Sequence, residues 1–352
     1  MSTFKCEVLR VSVEKHPDPE VNAIELARVG DYRSITRIGQ FKDGDLAAYI
    51  PEGSIVPQDL LAEMGLEGKL AGAEKNRVKA IKLRGALSQG LVIPAREGWQ
   101  EGQDVAEELG ITKWEPPIPT HLAGEVQSGD VKFHFDVENF KRYPSVLQEG
   151  EEVVITEKIH GTCTIVGLLP KWQRHPDMLQ GGRVFVSSKG LAGKGHFMKD
   201  NERNRDNLYV RMAKTFTDKL VSFFGDEIQE PVWVVGETFG KGVQDLQYGQ
   251  SEHTFRCFGV RIGDKWLHQD SLAATAMMLG VELVPVLYRG PFSKAVLEEH
   301  TNGKSTFTDK HIREGVVVTA NPFRTDPELG RVILKSVSEA YLLRKGEATE
   351  FQ

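Results

Sequence analysis

The sequence has little of what marks several large protein classes. It holds three cysteines, Cys6, Cys163 and Cys257, far apart and without a CxxC pair. That argues against a disulfide framework and a zinc site alike, and a reducing, cytoplasmic compartment fits best. The N-terminal stretch MSTFKCEVLRVSVEKHP has no apolar leader-like core, and nowhere is there a run of about 18 apolar residues. Secretion and membrane association are therefore not expected. Positive charge is not in surplus either: 44 Lys and Arg face 50 Asp and Glu, a formal charge of −6. Any site for a nucleotide or nucleic acid must then be a local basic patch. None of the Gly-Lys pairs at 68–69, 193–194, 240–241 and 303–304 has a glycine five positions earlier, which rules out a P-loop. GxGxxG after a strand, HExxH and GxSxG are missing too.

What remains is an ordinary globular composition, 40% hydrophobic, 27% charged and 8% aromatic, in a chain of 352 residues. At roughly 150 residues per domain that length suggests two folded units. From Phe4 to about Lys113, short apolar runs (CEVLRVSV, IELARV, DLAAYI, RVKAIKL, QGLVIPA) alternate with glycine turns, the pattern of a small antiparallel barrel. The proline-rich WEPPIPT hinders helix and sheet alike and reads as a linker. The division is a barrel over 1–115, a linker over 116–120 and a second domain over 121–352. In that second domain, strand-like VVITEK, FVSS, VWVVGETF, FRCFGVRI and EGVVVTA are mixed with helical NLYVRMAKTFTDKLVSFF and SLAATAMMLG. The fold class is α+β.

The residue that draws chemical attention is Lys158, at the end of the β-prone run VVITEK and directly before the turn Ile159-His160-Gly161. A lysine of ordinary pKa is almost wholly protonated at pH 7. Using it as a nucleophile costs about 4–5 kcal/mol unless burial or another cation lowers that pKa. It needs companions, and later strand-like runs offer Lys189, Glu237, Phe258, Glu314 and Lys335. One sheet could aim them all into one cleft.

These residues form an ordered series: Lys158-Ile159-His160-Gly161, Ser187-Ser188-Lys189, Gly236-Glu237-Thr238-Phe239-Gly240, Phe255-Arg256-Cys257-Phe258, Glu314-Gly315-Val316-Val317 and Leu334-Lys335-Ser336. The series resembles the six boxes of the covalent nucleotidyltransferase superfamily of ATP-dependent ligases and capping enzymes. EKIHGT is similar to the nick-sealing RNA ligases of the phage type. The N-terminal barrel with HPDPEVNAIELARVGDY and IKLRGALSQGL resembles the Deinococcus-type RNA ligases, family five, across nearly the whole chain. Three positions depart from the usual pattern. Cys163 stands where such enzymes usually have Asn, Gly259 where Asp commonly follows the aromatic box, and the last box has apolar Ile333 and Val337 around its single Lys335.

The resemblance implies an OB-like barrel followed by an ATP-grasp-like ligase domain of antiparallel sheets with flanking helices. It also implies a reaction on RNA ends. Lys158 takes AMP from ATP, the AMP passes to an RNA 5′-phosphate, and a 3′-OH displaces it. Lys335 would neutralise the α-phosphate and help depress the pKa of Lys158. Glu237 and Glu314 would hold Mg²⁺ or Mn²⁺ through water, with Glu237 also near a ribose hydroxyl. Phe258 would stack on adenine under an aliphatic Val316, and Glu157 would accept from the adenine amino group. His160 and Lys189 would touch ribose or phosphate, with Ile159 and Gly161 completing the nucleotide site. The expected partner is a nicked duplex with RNA at the 3′-OH end, with no membrane and no protein partner evident. In the barrel, Lys75, Arg77, Lys79, Lys82 and Arg84 form the densest basic stretch, with Arg77 and Lys79 expected on one strand face as phosphate contacts. Two rivals share the first chemical step, a DNA ligase and a capping enzyme. Both normally carry an OB domain after the last box, and only 17 residues follow Lys335 here. A third rival is a nucleic-acid-binding protein with this fold and no turnover.

Overall fold

The computed structural model describes residues 4–114 and 124–344. The expected linker, 116–120, lies outside the described residues. The N-terminal domain is built from two three-stranded antiparallel sheets, Glu7–Arg10, Leu46–Ile50 and Leu91–Pro94 in one and Ser12–Glu14, Ile24–Val29 and Tyr32–Arg37 in the other. Strand Leu46–Ile50 is buried on both faces. Ala48 and Ile50 join Cys6, Val8 and Leu61 in one core, while Ala47 and Tyr49 join Val11, Val29 and Phe41 in a second. The alternation of side chains along one strand thus serves both cores.

The basic stretch of this domain is not a strand face. Only Ile81–Leu83 of RVKAIKL is a strand, paired with Ala86–Ser88. The hairpin turns through Arg84 and Gly85, both at positive φ (50° and 92°), as tight two-residue turns require. Arg77 lies outside it, with its guanidinium stacked 4.0 Å over the ring of Trp114. Lys75, Lys82 and Arg84 are exposed, and Lys79 is half-buried.

The second domain opposes two sheets. The first runs in the order Glu138–Asn139, Ile333–Val337, Gly315–Ala320, Glu152–Lys158, Val286–Pro291. The second runs Val184–Ser188, Thr162–Leu168, Val232–Phe239, Thr254–Ile262, Lys265–Trp266, with Glu282–Leu283 beside Thr254–Ile262. Two short pairings are parallel, against the antiparallel expectation: Glu138–Asn139 on the Lys335 strand and Glu282–Leu283 on Thr254–Ile262. The helical run at 207–224 divides into Leu208–Lys214 and Thr217–Phe224, which cover the outer face of the second sheet with Gln269–Leu279. No helix among the described residues is long and apolar enough to cross a membrane.

The chain crosses between the sheets at one place. Lys158 ends a strand of the first, and Thr162 begins a strand of the second. Gly161 sits at that crossing, where a Cβ would lie 2.3 Å from the backbone oxygen of Thr238. Only glycine allows this approach.

The domains touch around the segment that follows Asn139. The Lys141 amine bonds Gln89 Oε1 of the barrel, and the Lys141 carbonyl accepts from the Asp31 N–H at 3.4 Å. Lys294 pairs with Asp31 and Lys5 with Glu328, both at 3.3 Å. Between the domains lies a cavity of about 490 Å³ bordered by Tyr32, Tyr49, Lys141, Tyr143 and Lys335.

Candidate active site

The site is a cleft of about 180 Å³ between the two sheets, and alternation decides which side chains enter it. In the first sheet Thr156 pairs with Val317, Lys158 with Gly315, Val317 with Lys335, and Thr319 with Ile333. Thr156, Lys158, Val317, Thr319, Ile333 and Lys335 line the cleft. Their neighbours Val153, Ile155, Val316, Val318 and Leu334 point the other way, into the core with Leu297 and Phe292. The expectation that Val316 caps the nucleotide is therefore corrected. Val316 is fully buried, and Val317 is the aliphatic residue of the cleft.

Glu157, of the opposite parity, still borders the cleft. Its Oε2 accepts from the Thr306 N–H at 2.9 Å and the Thr306 hydroxyl at 2.6 Å. Its Oε1 is buried with no hydrogen-bond partner among the described residues, an acceptor of the kind that the expected contact to an adenine amino group requires. His160 is also corrected: it is 4% exposed and lies beneath the cleft rather than lining it. Its Nε2 is 2.7 Å from Asp245 and its Nδ1 2.9 Å from the Tyr341 hydroxyl. Ile159 borders the cleft and packs with Phe239, Tyr248 and Tyr341.

The second sheet supplies the opposing wall, so two sheets rather than one aim the expected residues inward. Glu237 pairs with Cys163, and both line the cleft. Burial and the adjacent Glu237 push the Cys163 thiol up, which suits packing rather than reactivity. Phe258 enters through a β-bulge: Val235 pairs with Gly259 and Gly236 with Cys257, leaving Phe258 as the extra residue. The bulge turns Phe258 and Gly259 to one face. A Cβ on Gly259 would lie 2.6 Å from the Trp266 ring, so glycine in place of the usual Asp lets Trp266 form part of the wall. Phe135 lies 6.0 Å from Phe258 and 5.8 Å from Trp266. Lys189 follows strand Val184–Ser188, pairs with Asp136 at 2.8 Å and lies 5.0 Å over the Phe135 ring. Burial raises the Asp136 carboxyl, yet the Lys189 charge outweighs it and the net shift is downward.

Phe135, Asp136, Gln269, Trp266 and Arg331 were not among the residues expected from the sequence. Arg331 was within reach of strand parity, since Arg331, Ile333 and Lys335 alternate, and all three line the cleft. Arg331 ends the short strand Gly330–Arg331, just ahead of Ile333–Val337, and brings in a second cation four residues before Lys335 instead of two. Its guanidinium stacks 4.1 Å over Phe323 and 5.0 Å over Trp266, and burial lowers its pKa to about 10.

At the centre the Lys158 amine contacts Glu314 Oε1. Lys158 keeps 20% of its side chain exposed and stays reachable from the cleft, whereas Glu314 is 1% exposed. The second oxygen of Glu314 is buried with no hydrogen-bond partner among the described residues. Glu237 accepts from the Gly161 N–H, and its carboxyl is pushed up to about 8 by burial and by Glu314, against the pull of Lys158. Lys335, 5% exposed, completes the group. Two carboxylates with a spare buried oxygen suit a hard divalent cation. Among the described residues no cluster of three His, Cys, Asp or Glu could enclose a bare ion, so such a cation would keep most of its waters.

A raised folded-state pKa at Glu237 has a defined sign for stability. The contribution is present below its unfolded pKa near 4.5 and is lost as pH rises through about 8. Glu237→Gln is expected to raise Tm more at pH 8 than at pH 5 in metal-free protein, measured by calorimetry. An equal shift at both pH values would contradict the protonated carboxyl.

Comparison with known proteins agrees with this arrangement. An RNA ligase family model matches residues 151–337, and an OB-fold domain model matches residues 7–95. Among solved structures, Naegleria gruberi RNA ligase with PPi is 24% identical, with a TM-score of 0.77 over 97% of this chain and 98% of that one. A mutant of the same ligase with AMP and Mn is 22% identical, with a TM-score of 0.76 over 96% and 97%. A further mutant with ATP and Mn is 23% identical at a TM-score of 0.76, over 96% and 98%. No match was found among the curated proteins. The fold is shared with these ligases, and because the family model spans more than half of the sequence, the chain belongs to the RNA ligase family.

Proposed function

We propose that the protein is an ATP-dependent ligase that seals 3′-OH and 5′-phosphate ends at nicks in duplexes, with RNA on the 3′-OH side, through a covalent lysyl-AMP on Lys158. The observation that carries the reading is one cleft lined by Lys158, in contact with the buried Glu314, by Glu237 and Lys335, and by the Phe135, Phe258 and Trp266 rings. A cationic and acidic lining suits a polyphosphate, and aromatic rings suit a base. The Naegleria gruberi ligase, described with ATP and Mn, with AMP and Mn and with PPi, supports the same substrate and metal for this chain.

In the first step the unprotonated Lys158 amine attacks the α-phosphorus of ATP. An N–P bond forms, the bond from α-phosphorus to the bridging oxygen breaks, and pyrophosphate leaves. The amine must first lose a proton, and the Glu314 carboxylate in contact with it is placed to accept one. Lys335 adds positive potential that disfavours the ammonium form of Lys158 and offsets charge on the α-phosphate. In the second step an oxygen of the RNA 5′-phosphate takes the AMP and frees the lysine. In the third a 3′-OH attacks the activated phosphate, the new phosphodiester forms, and AMP leaves. Positioning supplies most of the acceleration in each transfer. A divalent cation on Glu237 and Glu314 would supply charge neutralisation at the phosphates. Lys189, held by Asp136, is set to contact ribose or phosphate.

Incubation with α-labelled ATP and Mg²⁺ or Mn²⁺ is expected to leave acid-stable label on the wild-type protein and none on Lys158→Ala. No label on the wild type, or undiminished label on the variant, would overturn the enzyme reading in favour of a binding protein. With nicked duplexes, a DNA 3′-OH strand is expected to seal about tenfold more slowly than an RNA one. Equal sealing would remove the RNA preference.

For the barrel, the exposed Lys75, Lys82 and Arg84 are the phosphate contacts, with Arg77 and Lys79 in supporting positions. Lys82→Glu with Arg84→Glu is expected to weaken duplex binding and flatten its log–log salt slope by about 1–2. An unchanged slope would return the hairpin to plain surface.

A further inference from the structure

The polar network around the buried His160, which runs out to the exposed Asp245, is more elaborate than packing requires. His160 stands two residues after Lys158, in the turn that links the sheets, and polar partners hold it on three sides. Its backbone N–H donates to the Tyr248 hydroxyl at 2.7 Å. Asp245 lies 2.7 Å from Nε2, and the Tyr341 hydroxyl 2.9 Å from Nδ1. These partners define one tautomer: Nε2–H donates to the carboxylate, and Nδ1 accepts from the phenol. Burial lowers the His160 pKa and keeps the ring neutral.

Two of those partners are themselves fixed by the end of the described chain. Arg344 grips Asp245 with both ends of its guanidinium, Nε to Oδ2 and Nη2 to Oδ1, each at 3.0 Å. It also lies 3.6 Å over the Tyr341 ring and donates to the Tyr341 carbonyl at 2.9 Å. Tyr341 belongs to the short helix Glu339–Leu342 and is fully buried. The residue before that helix, Ser338, donates its N–H to the Glu314 carbonyl at 2.9 Å. One short segment therefore anchors the turn after the nucleophile and the backbone of the carboxylate that touches it.

We propose that this segment is a latch on the nucleophile: Asp245, Tyr341 and Arg344 are positioning residues that hold His160, and with it the direction in which Lys158 presents its amine. The proposal rests on the nucleotidyl-transfer reading of Lys158. Of the three transfers in that reading, the first depends most on the aim of the free lysine amine. The last, sealing of an already adenylated RNA end, makes and breaks no bond to lysine. A latch therefore separates the two, whereas general loosening of the fold lowers both.

Tyr341→Phe and Asp245→Asn remove single polar contacts with little change in volume, and calorimetry establishes that each variant is folded. Each is expected to slow labelling of Lys158 from α-labelled ATP by about 10- to 100-fold, the scale of a misaimed reacting group. Sealing of a nicked duplex with a chemically pre-adenylated 5′ end is expected to stay within about twofold of wild type. Labelling at the wild-type rate in both variants would overturn the latch. A parallel fall in both reactions would overturn it as well, because the network would then be structural only. Absence of label on the wild-type protein would instead refute the nucleotidyl-transfer reading, and the latch with it.

Discussion

The close passage of Gly161 against the Thr238 backbone is the constraint from which the site follows. A strand of one sheet must become a strand of the other within the three residues Ile159, His160 and Gly161. The crossing succeeds because position 161 has no Cβ to collide with a carbonyl oxygen 2.3 Å away. It places Lys158 on the last position of its strand, facing the second sheet. It also brings the Gly161 N–H to Glu237, so the fold's tightest turn and one of its functional carboxylates are joined by a hydrogen bond. Lys158 contacts Glu314 on its own sheet and faces Glu237 across the gap, and that gap is the cleft.

Electrostatics sharpen what the turn sets up. Two carboxylates near one ammonium in a partly dry site cannot all keep their ordinary protonation, and the strain falls on Glu237, whose pKa moves to about 8. Glu314 is held instead by direct contact with the amine. At pH 7 Glu237 therefore keeps its proton for most of the time, and a divalent cation at the same oxygens would displace it. Lys335, on the same sheet as Lys158, and Arg331 just ahead of its strand add two further cations to the cleft lining.

Much of this was legible in the sequence, and the misses have physical causes. The order of short β-prone runs gave the barrel and the α+β domain, since pattern and turn residues carry that information locally. Lys158, Lys189, Glu237, Phe258, Glu314 and Lys335 were found, and all but Glu314 line the cleft, with Glu314 buried against Lys158. Val316 was misplaced by one position of strand parity, a signal present in the sequence because Lys158 fixes the inward phase of its strand and its sheet. His160 was misread because its partners, Asp245 and Tyr341, are 85 and 181 residues away. Arg77 and Lys79 were assigned to a strand that begins only at Ile81. The contribution of Phe135 and Asp136 could not be read, as no regular element marks that segment and only the folded chain brings it to Phe258 and Lys189.

The parallel pairing of Asn139 with Lys335 makes the barrel mechanically continuous with the catalytic strand. Two residues on, Lys141 is bonded to Gln89 and Asp31 of the barrel. Lys335 itself borders both spaces, the cavity between the domains and the cleft between the sheets, so one side chain is shared by the two.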